Sequence, residues 1–243
     1  LKRLVIRNAD WDAATLEAFC HANFSELTLL QLEYGNLDDR AMEQLANCPQ
    51  LAKLRVLSVQ GNRIGGRGVT ALLTSPYLAN VTFLDLAGNP CTRVDADKLA
   101  TATPAALRMF HAHGCRFNAQ DVGALARCPR LHTLWYLDLD ANELGTSAVR
   151  ELVRGFQDFC PPILWLTHNR INDNGARYLA RWKAARRLSV LHLKYNMMTD
   201  AGAVELLDSP HLQNLDGLGV SCTSLQTEAR MQKRFRYHDL YYN

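Results

Sequence analysis

Aromatic residues are scarce in this 243-residue chain, at 8% of the total, so its core has to be mainly aliphatic. No wholly apolar stretch exceeds a few residues, far short of the roughly 20 that a helix needs to span a bilayer. Neither sign of charge dominates: 27 Lys and Arg against 24 Asp and Glu leave a net charge of +3, which argues against a dedicated nucleic-acid binder. The seven cysteines are odd in number, scattered, and include no Cys-x-x-Cys pair. That excludes the dense disulfide framework of a small secreted scaffold. It suits reduced, buried thiols acting as small hydrophobes, and a cytoplasmic location is expected. The motifs of common chemistries are missing as well: there is no Gly-x-Ser-x-Gly, no phosphate loop and no His-Glu-x-x-His. The glycines between Gly61 and Gly68 fall on turn positions of a repeat, and Cys91 and Cys115 fall in its buried frame. No catalytic residue, no cofactor and no metal ligand is therefore assigned, and the chain is read as a non-enzyme. The sequons at Asn23-Phe24-Ser25 and Asn80-Val81-Thr82 are taken as chance, because the second encloses a core position.

What the sequence does contain is a period. Leu54, Leu57, Val59, Asn62 and Ile64 occupy positions 1, 4, 6, 9 and 11 of a frame. The frame returns as Val81, Leu84, Leu86, Asn89 and Cys91, and as Leu134, Leu137, Leu139, Asn142 and Leu144. It returns again as Pro161, Leu164, Leu166, Asn169 and Ile171, and as Leu188, Leu191, Leu193, Asn196 and Met198. Weaker copies begin at Leu27, Leu107 and Leu215, with Gly35, Cys115 and Thr223 in the Asn position, and an incomplete copy begins at Leu1 with Ala9 there. All steps between frames are 26 or 27 residues. Self-similarity at such a period marks a stack of units, none of which can bury its apolar face alone.

The second half of each unit reads as a helix. Val69, Leu72 and Leu73 show the i, i+3, i+4 spacing of one buried stripe, as do Met42, Leu45 and Ala46, Val122, Leu125 and Ala126, and Ala203, Leu206 and Leu207. Gly68, Gly175 and Gly202 are expected just before helices, and Cys48-Pro49, Ser75-Pro76, Cys128-Pro129 and Ser209-Pro210 are expected to stop them. Each unit is thus a strand, a turn and a helix. Helices are wider than strands, so the stack should curve with the strands on its concave side. The repeated Asn has a physical reason: where the chain turns inward, a side-chain amide can both donate to and accept from buried backbone groups.

The pattern L-x-x-L-x-L-x-x-N-x-I followed by a Gly-Ala-x-x-Leu helix resembles leucine-rich repeats of the ribonuclease-inhibitor type. The segments Leu54–Leu78 and Leu188–Leu212, with their Ser-Pro ends, look like bacterial members of that class. The resemblance implies an α/β solenoid, a single domain over residues 1–243 of about nine repeats. Residues 226–243 should close the stack, with a capping helix over Glu228–Arg236 and Phe235 packed on the last repeat. Leu1 enters in mid-pattern, so an upstream cap or domain is expected to have been removed. The units are slightly shorter than those of the inhibitor itself, and the resemblance says little about function, because these repeats serve many unrelated binding roles.

Strand side chains alternate, so with positions 4 and 6 inward, positions 3, 5 and 7 should face the concave surface. Position 3 is mostly apolar, from Leu29, Val56 and Phe83 to Tyr136, Ile163 and Val190. Position 5 places Asp85, His111, Asp138, Trp165 and His192 on five successive strands, with Tyr195 and His168 in nearby loops. Aromatic and charged groups in a concave centre are the ingredients of an interaction hot spot. Asp85, His111, Tyr136, Asp138, Trp165, His192 and Tyr195 are therefore the expected contact residues for a protein or peptide partner. Two alternatives stand beside this scaffold reading. One is a structural or regulatory segment of a larger protein. The other is a metal site around His111 and His113 with Asp85, Asp138 and Asp140, weighed against plain cross-strand His–Asp pairs, since parallel strands splay their side chains. The basic clusters Arg181, Lys183, Arg186, Arg187 and Arg230, Lys233, Arg234, Arg236 are read as a solvated convex face, with contact to an acidic surface or nucleic acid as the alternative.

Overall fold

The computed structural model describes residues 1–103, 106–221 and 224–235. Among these residues nine strands form one sheet in strict chain order: β1 (Arg3–Arg7), β2 (Leu29–Glu33), β3 (Val56–Ser58), β4 (Phe83–Asp85), β5 (Met109–His111), β6 (Tyr136–Asp138), β7 (Ile163–Trp165), β8 (Val190–His192) and β9 (Gly217–Gly219). Every neighbouring pair is parallel, and the register steps by one repeat at each pairing, so Leu57 faces Leu84, Phe110 faces Leu137 and Leu164 faces Leu191. These residues form one row with at most 4% exposure. A short parallel strand gains little by itself. It holds because its inward Leu side chains stack on those of the units before and after.

Helices return the chain on the other side: α1 (Ala13–His21), α2 (Asp39–Ala46), α3 (Gly66–Thr74), α4 (Ala96–Ala100), α5 (Ala119–Arg127), α6 (Gly145–Gly155), α7 (Asp173–Ala180), α8 (Asp200–Leu207) and α9 (Leu225–Arg234). A helix is about 10 Å across and a strand spacing about 4.8 Å, so the sheet lines the inside of the bend. The expected apolar stripes are all buried. Pro49 and Pro129 open 3-10 turns that end the helical segments before the next strand. The closing helix ends at Arg234, with Phe235 at 4% exposure in the core; Arg236 and the Tyr237–Tyr242 stretch lie outside the described residues.

The Asn frame is a hydrogen-bond device. Asn142 donates from Nδ2 to the carbonyls of Ala112, Leu139 and Asp140 at 2.8, 2.9 and 3.0 Å, and its Oδ1 accepts from Phe117 N–H at 3.1 Å. Asn62, Asn169 and Asn196 bridge successive units in the same manner. Cys115 has a weaker substitute, a thiol donating to the Leu86 carbonyl at 3.2 Å; Thr223 lies outside the described residues. Just before the Asn, position 8 is left-handed in one unit after another, with φ of +55° at Asn8, +56° at Tyr34, +54° at Ala141, +54° at His168 and +55° at Tyr195, and with glycine at 61, 88 and 114. That residue swings the chain from strand direction into the core.

One expectation needs correction. Gly68, Gly175 and Gly202 do not precede their helices; they sit in the first turns of α3, α7 and α8. Space explains the choice of residue. A Cβ at Gly202 would stand 2.5 Å from Asp173 Oδ1, and one at Gly68 2.8 Å from Asp39 Oδ1. Those same oxygens accept the Gly202 and Gly68 N–H groups at 3.1 and 2.8 Å. The acid at the start of one helix thereby caps the helix of the next unit, and only glycine admits it that closely. Five cysteines are buried and Cys20 is half-buried, and all six are free thiols among the described residues.

Candidate functional site

The strand face carries a continuous row of rings. Phe83 to His111 measures 5.0 Å between centroids, His111 to Tyr136 4.7 Å, Tyr136 to Trp165 5.8 Å and Trp165 to His192 4.9 Å. The row crosses β4 to β8, alternating between positions 3 and 5 from Phe83 to Trp165 and staying at position 5 for His192, the register partner of Trp165. His111–Tyr136 and Trp165–His192 are stacked, at 21° and 26° between planes. Ring faces are thus used within the row, and a ligand meets the ring edges. Phe83, His111, Tyr136 and Trp165 are half-buried.

The expected contact residues separate into two groups. Asp85, His111, Tyr136 and Trp165 are half-buried, and Tyr195 is 61% exposed. Asp138 and His192, placed on the surface by alternation alone, are 5% and 2% exposed. At position 7, Glu33, Asp140 and Thr167 are also buried. The left-handed residue that follows curls this end of each strand inward, and neighbouring rings cover position 5. Tyr195 stands apart from the row, stacked on His168 at 4.5 Å and 11° in the turns after β8 and β7. The apolar position-3 residues are half-buried throughout, from Leu29 to Val190.

Polar groups connect across the strands beside the rings. Arg7 Nε donates to Glu33 Oε2 at 2.7 Å, and Ser58 Oγ donates to Glu33 Oε1 at 2.9 Å. Further along, His111 Nδ1 lies 3.8 Å from Asp138 Oδ2, too long for a hydrogen bond. Burial lowers the His111 pKa in spite of Asp85, so the imidazole is neutral near pH 7. His111 Nε2 is enclosed without a hydrogen-bond partner among the described residues. Burial, then the Asp140 charge, pushes Asp138 up to about 7. Burial and the same two carboxylates raise Tyr136, keeping its phenol protonated.

The metal alternative takes a narrower form than the sequence suggests. His113, Asp138 and Asp140 offer ligand atoms all within 4.8 Å of one another; His111 and Asp85 are not members of that group. Two further surface features escape sequence reasoning. Phe83 begins the ring row, and its signal was an aromatic at position 3 beside His111. Trp135, 59% exposed next to Tyr136, is the one aromatic in a position-2 row that is polar apart from Pro162, a signal that the sequence did carry.

Comparison with known proteins agrees with this architecture. A family model for the leucine-rich repeat matches residues 50–73 and 163–180. No curated protein sequence matches the chain. Among solved structures, a Bacteroides fragilis protein aligns over 99% of this chain and 75% of its own, with a TM-score of 0.64 and 13% identity. Human trophoblast glycoprotein, also titled Wnt-activated inhibitory factor 1, aligns over 91% of this chain and 76% of its own, with a TM-score of 0.59 and 18% identity. At such identities the likeness is one of fold. With nine parallel strands in serial order among the described residues, the Leu and Asn frame and the matching repeat model, the chain folds as a leucine-rich-repeat solenoid.

Proposed function

We propose that this chain is a non-catalytic scaffold that receives a protein or peptide partner on its strand face. The supporting observation is the ring row from Phe83 to His192, half-buried along most of its length and locked by stacking. Rings already fixed in place lose little conformational freedom on contact, and fixed aromatics at the centre of a face are where binding energy concentrates. Asp85 beside the row and Trp135 at its edge supply polar and apolar contacts, and Tyr195 extends the surface in the turns. Asp138 and His192 act beneath the surface, holding the rings rather than touching the partner. A kinship with the ribonuclease-inhibitor type fits a helix in each unit, and a cytoplasmic location fits the free thiols; both belong to this proposal. No helix among the described residues is long and apolar enough to cross a membrane.

Site-specific photo-crosslinking tests the reading. A crosslinking residue at Tyr136 should capture a partner protein that the same residue at Tyr178, exposed on α7, does not. Asp85→Lys with Trp165→Ala should reduce that capture at least tenfold. These positions are chosen because a charge reversal at buried Asp138 would disturb folding. Equal capture from Tyr178, or capture indifferent to the double variant, would move the contact surface off the strand face.

A further inference from the structure

His113, Asp138 and Asp140 come together beside the ring row. Asp138 ends β6, and His113 and Asp140 occupy equivalent turn positions after β5 and β6. Each offers one ligand atom, and the three atoms are within 4.8 Å of one another. The carboxylates are fixed by backbone. Asp138 Oδ1 accepts from Asp140 N–H at 2.9 Å, and Asp140 Oδ1 accepts from Thr167 N–H at 2.6 Å. The turns that carry His113 and Asp140 are tied together as well, Gly114 N–H donating to the Asp140 carbonyl at 2.9 Å. Asp138 and Asp140 are 5% and 1% exposed, while His113 is exposed and leaves the group open to solvent on one side.

We propose that His113, Asp138 and Asp140 form a binding site for a divalent cation of the zinc class. One imidazole nitrogen and two carboxylate oxygens are a donor set for Zn²⁺ and its borderline neighbours. Three protein ligands leave a coordination position for water or for a group from outside. Parallel strands would ordinarily splay such side chains. Here they converge because the left-handed residues at Gly114 and Ala141 curl both turns toward the sheet. Two carboxylates buried side by side resist joint ionisation, and a divalent ion relieves that repulsion. The inference is independent of the scaffold reading, since an ion could bind with or without a protein partner.

The test is a titration of the chelator-treated 243-residue chain with Co²⁺ followed by its visible absorption, and with Zn²⁺ by calorimetry. One ion per chain is expected, with affinity falling at least tenfold in His113→Ala and in Asp140→Asn and unchanged in His168→Ala. His113 is exposed, so its variant should fold, and it decides the matter alone if Asp140→Asn does not. A thiolate-to-cobalt charge-transfer band would assign the ion to cysteine and overturn the proposal. So would an absence of binding, or binding that His113→Ala leaves intact.

Discussion

The guanidinium of Arg130 donates from Nη2 to the Ser75 carbonyl at 2.9 Å, across 55 residues of chain. Nη1 reaches the Leu72 carbonyl at 3.4 Å, and the side chain passes the Thr103 carbonyl on the way. Arg130 is 3% exposed. It spans the unit whose helix, α4, is only five residues long, and its charge meets the negative end of α3. Arg130→Ala should cost on the order of 3 kcal/mol, because it orphans buried carbonyls and leaves a void. Arg130→Lys should recover less than half of the loss, since one ammonium cannot match the planar fork. The urea unfolding midpoint measures both.

Asn142 is a buried amide with three carbonyls accepting from it and one N–H donating to it. Asn142→Ala is expected to destabilise by about 2–4 kcal/mol through unsatisfied buried groups. Asn142→Asp should rescue little, because a carboxylate accepts but cannot donate. Thermal unfolding of the two variants checks the order.

The pH dependence carries a sign opposite to that of an ion-paired carboxylate. Asp138 sits at about 7 in the folded chain against an ordinary 3.8, through burial first and Asp140 second. Between those values the folded state holds a proton that the unfolded state releases, so stability falls as pH rises from about 4 to about 7. Asp138→Asn keeps an acceptor for Asp140 N–H and should flatten that slope. The gain at pH 8 in metal-free protein should be at most about 4 kcal/mol. Urea midpoints at pH 5 and pH 8 give the comparison.

Gly61 and Gly145 share a left-handed backbone, with φ of +67° and +65°. A Cβ at Gly61 would stand 2.3 Å from the Tyr34 ring, whereas one at Gly145 meets nothing within 4 Å. Gly145→Ala should therefore cost only the backbone penalty of about 1 kcal/mol, and Gly61→Ala clearly more. In a Tyr34→Ala background the two costs should converge, which a double-mutant cycle measures.

The register of the strands was legible in the sequence, because apolar residues recur at positions 4 and 6 in a fixed frame and a one-residue slip would expose all of them. The Asn row was equally legible, since only an amide serves buried donors and acceptors at one turn. The contact face was legible as a set of positions but not as a surface. Alternation places Asp138 and His192 outward, and alternation is a property of one strand. Whether the next unit's ring lies over them depends on how units stack.

What the sequence determined by itself is the repeating unit and its apolar side, because those follow from local spacing that each unit satisfies identically. What the tertiary structure decided is everything that distinguishes one unit from another. The convergence of His113, Asp138 and Asp140, the reach of Arg130 to α3 and the continuous ring row join residues from different units. Their distances depend on the turn each left-handed residue makes and on how closely adjacent units pack, and no local pattern encodes either quantity.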